Sequence, residues 1–167
     1  MLESLVMAAV MGGGPDHLVT PVVEDKVEEV SIKKPYKGGF SEEIIDAATV
    51  PRKWRPFAAC VLDRESGGTL DKVQSGSGAR NPNSSASGRW QFLQGSWGQS
   101  LPYMVAKRLK DHDVPKGQAV EVRMKLQAKP IHKWHGLWQD IGFLAVVTEP
   151  RGWMHWSGGS GCNSKRP

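Results

Sequence analysis

Glu65 is the residue of this 167-residue chain whose placement suits chemistry. It closes a run in which Trp54, Phe57, Ala58 and Val61 recur at helical spacing. It falls four positions after Val61, on the inward stripe, whereas Arg64 falls on the wet side. Partial burial and the carbonyl end of the helix dipole both favour a neutral carboxylic acid there. Such an acid beside a long glycine-rich loop suits a general acid. An inward glutamate at a helix end is also often just half of an ion pair, with Arg55, Arg64 and Arg89 as the available partners. His132 and His135, three positions apart, and His155 offer a second chemistry, metal binding, but no acidic or cysteine partner completes a ligand set. No metal and no cofactor is expected. Cys60 and Cys162 are either two half-buried thiols or a bridge closing a loop of about a hundred residues, worth about 4 to 5 kcal/mol in the chain-entropy model. A bridge of that kind persists only outside a reducing cytosol.

The elements that position these residues read as mostly helical. A short helix is expected over Ser41 to Ala48, with Ser41 as its cap and Glu42 and Glu43 in its first turn. Pro56 suits the first turn of the helix that carries Glu65, and Gly67-Gly68 stops it. Residues 67 to 88 hold five Gly, five Ser, two Asn and one Pro, a loop long enough to suggest a function. Further helices are expected at Ser100 to Lys110, at Lys116 to Ala128, and at Ile131 to Thr148. In the last, Trp134, Leu137, Trp138, Ile141, Leu144 and Ala145 trace one stripe and Pro150 follows the end. No alternating pattern is long enough for a sheet core.

Charge divides the chain. Residues 1 to 50 contain nine acids and four bases, net −5, and no Trp; residues 51 to 167 contain eighteen bases and eight acids, net +10, with all seven Trp and both Cys. We therefore expect an acidic extended arm over 1–50, unable to build its own core, and a basic, aromatic-rich domain over 51–167. The basic domain points to a polyanionic partner: nucleic acid, anionic lipid or a wall polymer. No recognisable nucleic-acid-reading element is present, so no specific nucleic-acid partner is expected. No apolar run approaches the ~20 residues needed to cross a bilayer, and the run Leu5 to Met11 lacks the basic flank of a secretion signal.

Two motifs occur in order between Phe57 and Trp97. The first is Arg64-Glu65-Ser66-Gly67-Gly68. The second, after the Ser/Asn-rich loop, is Ala86-Ser87-Gly88-Arg89-Trp90-Gln91-Phe92, followed by Gly95-Ser96-Trp97. Together they resemble the lysozyme-like lytic transglycosylases and resuscitation-promoting factors, and in particular the lysozyme-like domains of phages infecting actinobacteria. Those domains also have Trp-rich ends like Trp153-Met154-His155-Trp156. Two features depart from the pattern: Arg89 stands where an apolar residue is usual, and no Ala-Tyr-Asn motif follows.

The resemblance implies a mainly α, lysozyme-like domain behind the arm. In it Glu65 would be the general acid that protonates the glycosidic oxygen between N-acetylmuramic acid and N-acetylglucosamine. Ser66 would support the helix end, Gln91 would face the substrate, and Trp90 and Phe92 would shape the groove. Tyr103 would be a sugar platform or core, as would Trp97, which reads as core. A second carboxylate would be required for ordinary hydrolysis, and Asp71 in the loop is the candidate, because Asp63 points away from Glu65. A single-acid scheme closing a 1,6-anhydro ring needs none. The expected function is peptidoglycan cleavage by a phage virion protein of the tail. It would be made in the host cytoplasm, with residues 1–50 docking on other virion proteins. A catalytically inert structural or wall-binding tail protein is the competing reading.

Overall fold

The structure, a computed structural model, describes residues 39–158 and 161–167. Most of the acidic arm, including its strand-like piece Val27 to Ile32, lies outside the described residues, as does any docking role for it. The described residues fall in one unit, Lys33–Pro167, and are mainly helical. Helix α1 (Glu42–Ala48) buries Ile44, Ala47 and Ala48, and Val50 follows them into the core. The end of the acidic segment thus packs into the same core as the residues that follow it. Arg108 Nε donates to Ala47 O at 2.7 Å, fastening this helix to α4 (Leu101–Asp111). Ser41 makes no side-chain cap bond. Its hydrogen bond with Glu43 instead holds that carboxyl below the usual carboxylate range.

Helix α2 (Arg55–Ser66) begins after a 3-10 turn, Arg52–Trp54, with Pro56 in its first turn, where a missing N–H costs nothing. Phe57, Ala58, Val61 and Leu62 are fully buried along one stripe. Gly67, at φ 63°, ends the helix in the left-handed region. Its N–H donates to Asp63 O, and the N–H of Gly68 donates to Leu62 O. A disulfide joins Cys60 of α2 to Cys162, with Cα atoms 5.6 Å apart and 102 positions between them in sequence. The carboxy-terminal segment is thus held to α2. Replacing both cysteines by serine is expected to cost about 4 to 5 kcal/mol by the chain-entropy model. Urea denaturation checks this, and an unchanged midpoint would contradict it.

The long loop leads into a small hairpin, β1 (Ala86–Ser87) antiparallel to β2 (Phe92–Leu93), and then to α3 (Gln94–Trp97). Helix α4 and helix α5 (Lys116–Gln127) pack on each other, and α4 also packs on α6 (Gly136–Val147). In α6 every residue except Trp138 is buried, so the single stripe expected there is in fact burial on all sides. It is the central helix of the domain.

The helix expected over 131–148 is broken. A 3-10 turn spans Ile131–Lys133, Trp134 and His135 are extended, and α6 starts at Gly136. Two contacts explain the break. A Cβ at Gly136 would stand 1.7 Å from Val73 O, so the chain meets the loop there with no room for a side chain. His135 then caps α6, its Nδ1 accepting from the N–H of Leu137 at 3.2 Å.

Only a neutral imidazole accepts that bond, and burial holds the His135 value below its ordinary 6.5. His132 is lowered as well, by burial first and then by Arg80 and Lys133. Between the lowered folded value and the unfolded one, the unfolded chain binds more protons. Stability is therefore full above about pH 6.5 and is lost as pH falls through the folded values. Melting temperatures at about pH 7.5 and about pH 5.5 should show this drop. His135→Asn, which caps in either condition, should reduce it; an unaltered pH dependence in that variant would contradict the cap assignment.

Candidate active site

The site is organised by a buried cation. Arg89, in the hairpin turn, is fully buried, and the Gly-rich loop folds around its guanidinium. Nη1 donates to the carbonyls of Val73 (2.6 Å), Lys72 (2.9 Å) and Ser75 (3.0 Å), and Nη2 donates to that of Thr69 (3.1 Å). Nε lies 2.8 Å from Asp140 Oδ1 as an ionic contact, not an aligned hydrogen bond. Asp140 also accepts from Trp90 Nε1 at 2.8 Å. A loop this rich in Gly and Ser has little apolar surface to hold it, so charge-assisted bonds to its carbonyls give it a shape. The departure of Arg89 from the family pattern thus has a structural reason.

The same turn is gripped from three sides. Ser66 Oγ, at the end of α2, donates to Arg89 O at 2.8 Å. Gln139 Oε1 of α6 accepts from Arg89 N at 2.7 Å. Trp156 Nε1 donates to Trp90 O at 2.9 Å. Gly88, at φ 78°, is required because a Cβ would sit 2.4 Å from Gln139 Oε1. Gln91 adopts φ 51° without being glycine, and its Nε2 donates to Gly88 O at 2.9 Å. Such backbone strain in a half-buried polar residue persists only where its surroundings hold it.

Glu65 stands at the end of α2, one residue before Ser66, in line with the buried stripe of that helix and 24% exposed at its side chain. Of the three arginines available to it, Glu65 is paired with Arg64. Arg64 Nη2 and Nε approach Glu65 Oε1 at 2.6 and 3.0 Å, and Nη2 also donates to Trp156 O at 2.8 Å. Neighbouring helix positions do not face each other, but the arginine side chain is long enough to fold across, and the Trp156 carbonyl fixes it there. Both bonds go to Oε1, and no hydrogen bond to Oε2 is formed among the described residues.

Other expected site residues fall differently. Ser66 does brace the helix end. Trp90 is fully buried, stacked on Phe143 with ring centroids 3.8 Å apart and planes 11° apart. Phe92 is also buried, edge-on to Trp97 and Trp156. Neither ring is a surface for a sugar; both support the turn from beneath, because the turn folds inward onto α6. Trp97 packs against the core and against His155, as a core residue would. Tyr103 is 54% exposed, but it lies under Arg123, whose guanidinium is 4.6 Å from its ring, on the α4 and α5 pair. Among the described residues it makes no contact with Glu65.

Asp71 is nearly fully exposed, 3.8 Å from Arg55. It lines an open cleft of about 530 Å³ with Asp63 and Ala59. Those two positions lie on the face of α2 turned away from Glu65, so the structure does not bring Asp71 and Glu65 together as a pair. Trp156, Asp140 and Gln139 are the site-forming residues that sequence reasoning missed. The signal for the last two was present: two polar residues side by side inside an otherwise apolar helix. Among the described residues no group of histidine, cysteine or acidic side chains is arranged to hold a metal ion.

No family model, curated protein or solved structure matches this chain.

Proposed function

We propose that this chain cleaves the glycan strands of peptidoglycan, with Glu65 as its single catalytic carboxyl. The observation that carries this reading is the carboxyl's setting. Glu65 ends a buried helix stripe, is oriented at Oε1 by Arg64, and is joined through Ser66 to a turn that holds Gln91 in a strained conformation. A protonated carboxyl can accept from Arg64 at Oε1 while its Oε2–H donates to a glycosidic oxygen. The C1–O bond then breaks as the leaving oxygen takes that proton, and the substrate's N-acetyl oxygen stabilises the cationic carbon. The carboxylate next removes the proton of the muramyl 6-hydroxyl, which closes on C1 as an anhydro ring. With Asp71 on the other face of the helix, this single-acid course is favoured over a two-carboxylate one.

The disulfide suits a protein that works outside a reducing compartment. With the basic surface of the domain, it supports a virion component of a phage that meets the wall from outside, most plainly in the tail. Purified protein should clear a gel containing bacterial walls. Tight wall binding without clearing would favour the second reading, an inert wall-binding tail protein. That reading draws on the same charge: residues 51–167 carry net +10.

A further inference from the structure

A separate cavity has none of residues 64–68 in its lining. It has a volume of about 240 Å³; Arg80, Ser84, Ser87 and His132 line it together with the apolar Ala86 and Pro130, and no acidic side chain is among its described lining residues. Ser87 is 4% exposed, and its Oγ has no hydrogen-bond partner among the described residues. A buried hydroxyl left unsatisfied costs roughly 1 to 3 kcal/mol, so native proteins seldom keep one without a use. Arg80 is paired to Ser87 by a backbone bridge, which brings its cationic side chain to the same wall. Ser84 Oγ accepts from Ala86 N at 3.1 Å and keeps its own O–H to donate.

We propose that this cavity binds an oxyanion, a phosphoryl or carboxylate substituent, held by the Arg80 guanidinium and the Ser84 and Ser87 hydroxyls. These groups can all donate hydrogen bonds, and a negatively charged acceptor is the ligand class that suits donors lining one cavity with a cation. His132 adds a ring on the same wall. Burial first, and then the neighbouring charges of Arg80 and Lys133, hold its value below the ordinary one. The proposal is independent of catalysis at Glu65, since none of these residues belongs to that site.

The full chain, titrated at constant ionic strength with inorganic phosphate and separately with acetate, tests it by amide chemical shifts. Phosphate is expected to move Ser87 and His132 in a saturable way, and Arg80→Gln to weaken binding at least about tenfold. Ser87→Ala should weaken it several-fold while the melting temperature stays level or rises, because an unsatisfied hydroxyl has been removed. Tighter binding of acetate than phosphate would assign the site to a carboxylate source, and the reverse to a phosphoryl source. Saturation by neither ion, or binding unchanged in both variants, would overturn the proposal.

Discussion

Glu65→Gln is expected to lower the rate of wall clearing by roughly 10²- to 10⁴-fold, the range attributable to one general acid. The substitution keeps the shape of the side chain. The amide oxygen still accepts from Arg64, so the link from Arg64 to Trp156 O survives and the end of α2 keeps its place. What is lost is the acidic O–H that a glycosidic oxygen needs. Wall binding should persist, because the cationic surface of the domain is unchanged, and the melting temperature should stay close to that of the unmodified protein. Clearing at equal rates by both forms would remove Glu65 from the mechanism. Loss of clearing together with loss of folding would instead reveal a structural role for the carboxylate, through its pair with Arg64.

The second large effect is expected at Asp140. Asp140→Ala should destabilise the domain by about 3 to 5 kcal/mol, because it leaves the fully buried guanidinium of Arg89 without its counter-charge. It also removes the acceptor of Trp90 Nε1. Against a total stability of about 5 to 15 kcal/mol for a domain, that is a large fraction. Urea denaturation measures it directly. The paired substitution Arg89→Met with Asp140→Leu removes both charges and should recover part of the loss. It cannot recover all of it, since Thr69, Lys72, Val73 and Ser75 would each lose the donor that shapes the loop. A change within about 0.5 kcal/mol for Asp140→Ala would show that Arg89 is not the anchor described here.

The legible parts of this chain are those governed by local rules. Pro56 in the first turn and Gly67 after the last residue mark α2 almost to the residue, because each acts through its own backbone dihedral. Helices α4 and α5 were readable in the same way. The start of α6 was not, since a carbonyl of Val73, sixty-odd residues upstream, excludes any side chain at 136, and no helical period reports such an approach. Arg89 is legible as one of three possible partners for Glu65, not as the buried anchor of the loop. Its burial follows only once that loop closes around it and Asp140 arrives from α6. Trp90 and Phe92 sit beside Gln91 in the motif and share its resemblance, but the inward fold of the turn sends their rings to the core. The position of Glu65 on its helix was legible, and so was Arg64 as one of its possible partners; which of the three arginines pairs with it depended on where the fold places Trp156.

The most direct test is mass spectrometry of glycan fragments released from purified walls by the intact protein. The account predicts new muramyl ends, either 1,6-anhydro or, one water heavier, reducing, absent from walls treated with the Glu65→Gln protein. Walls that show no new glycan ends, or the same ends with both proteins, would contradict it.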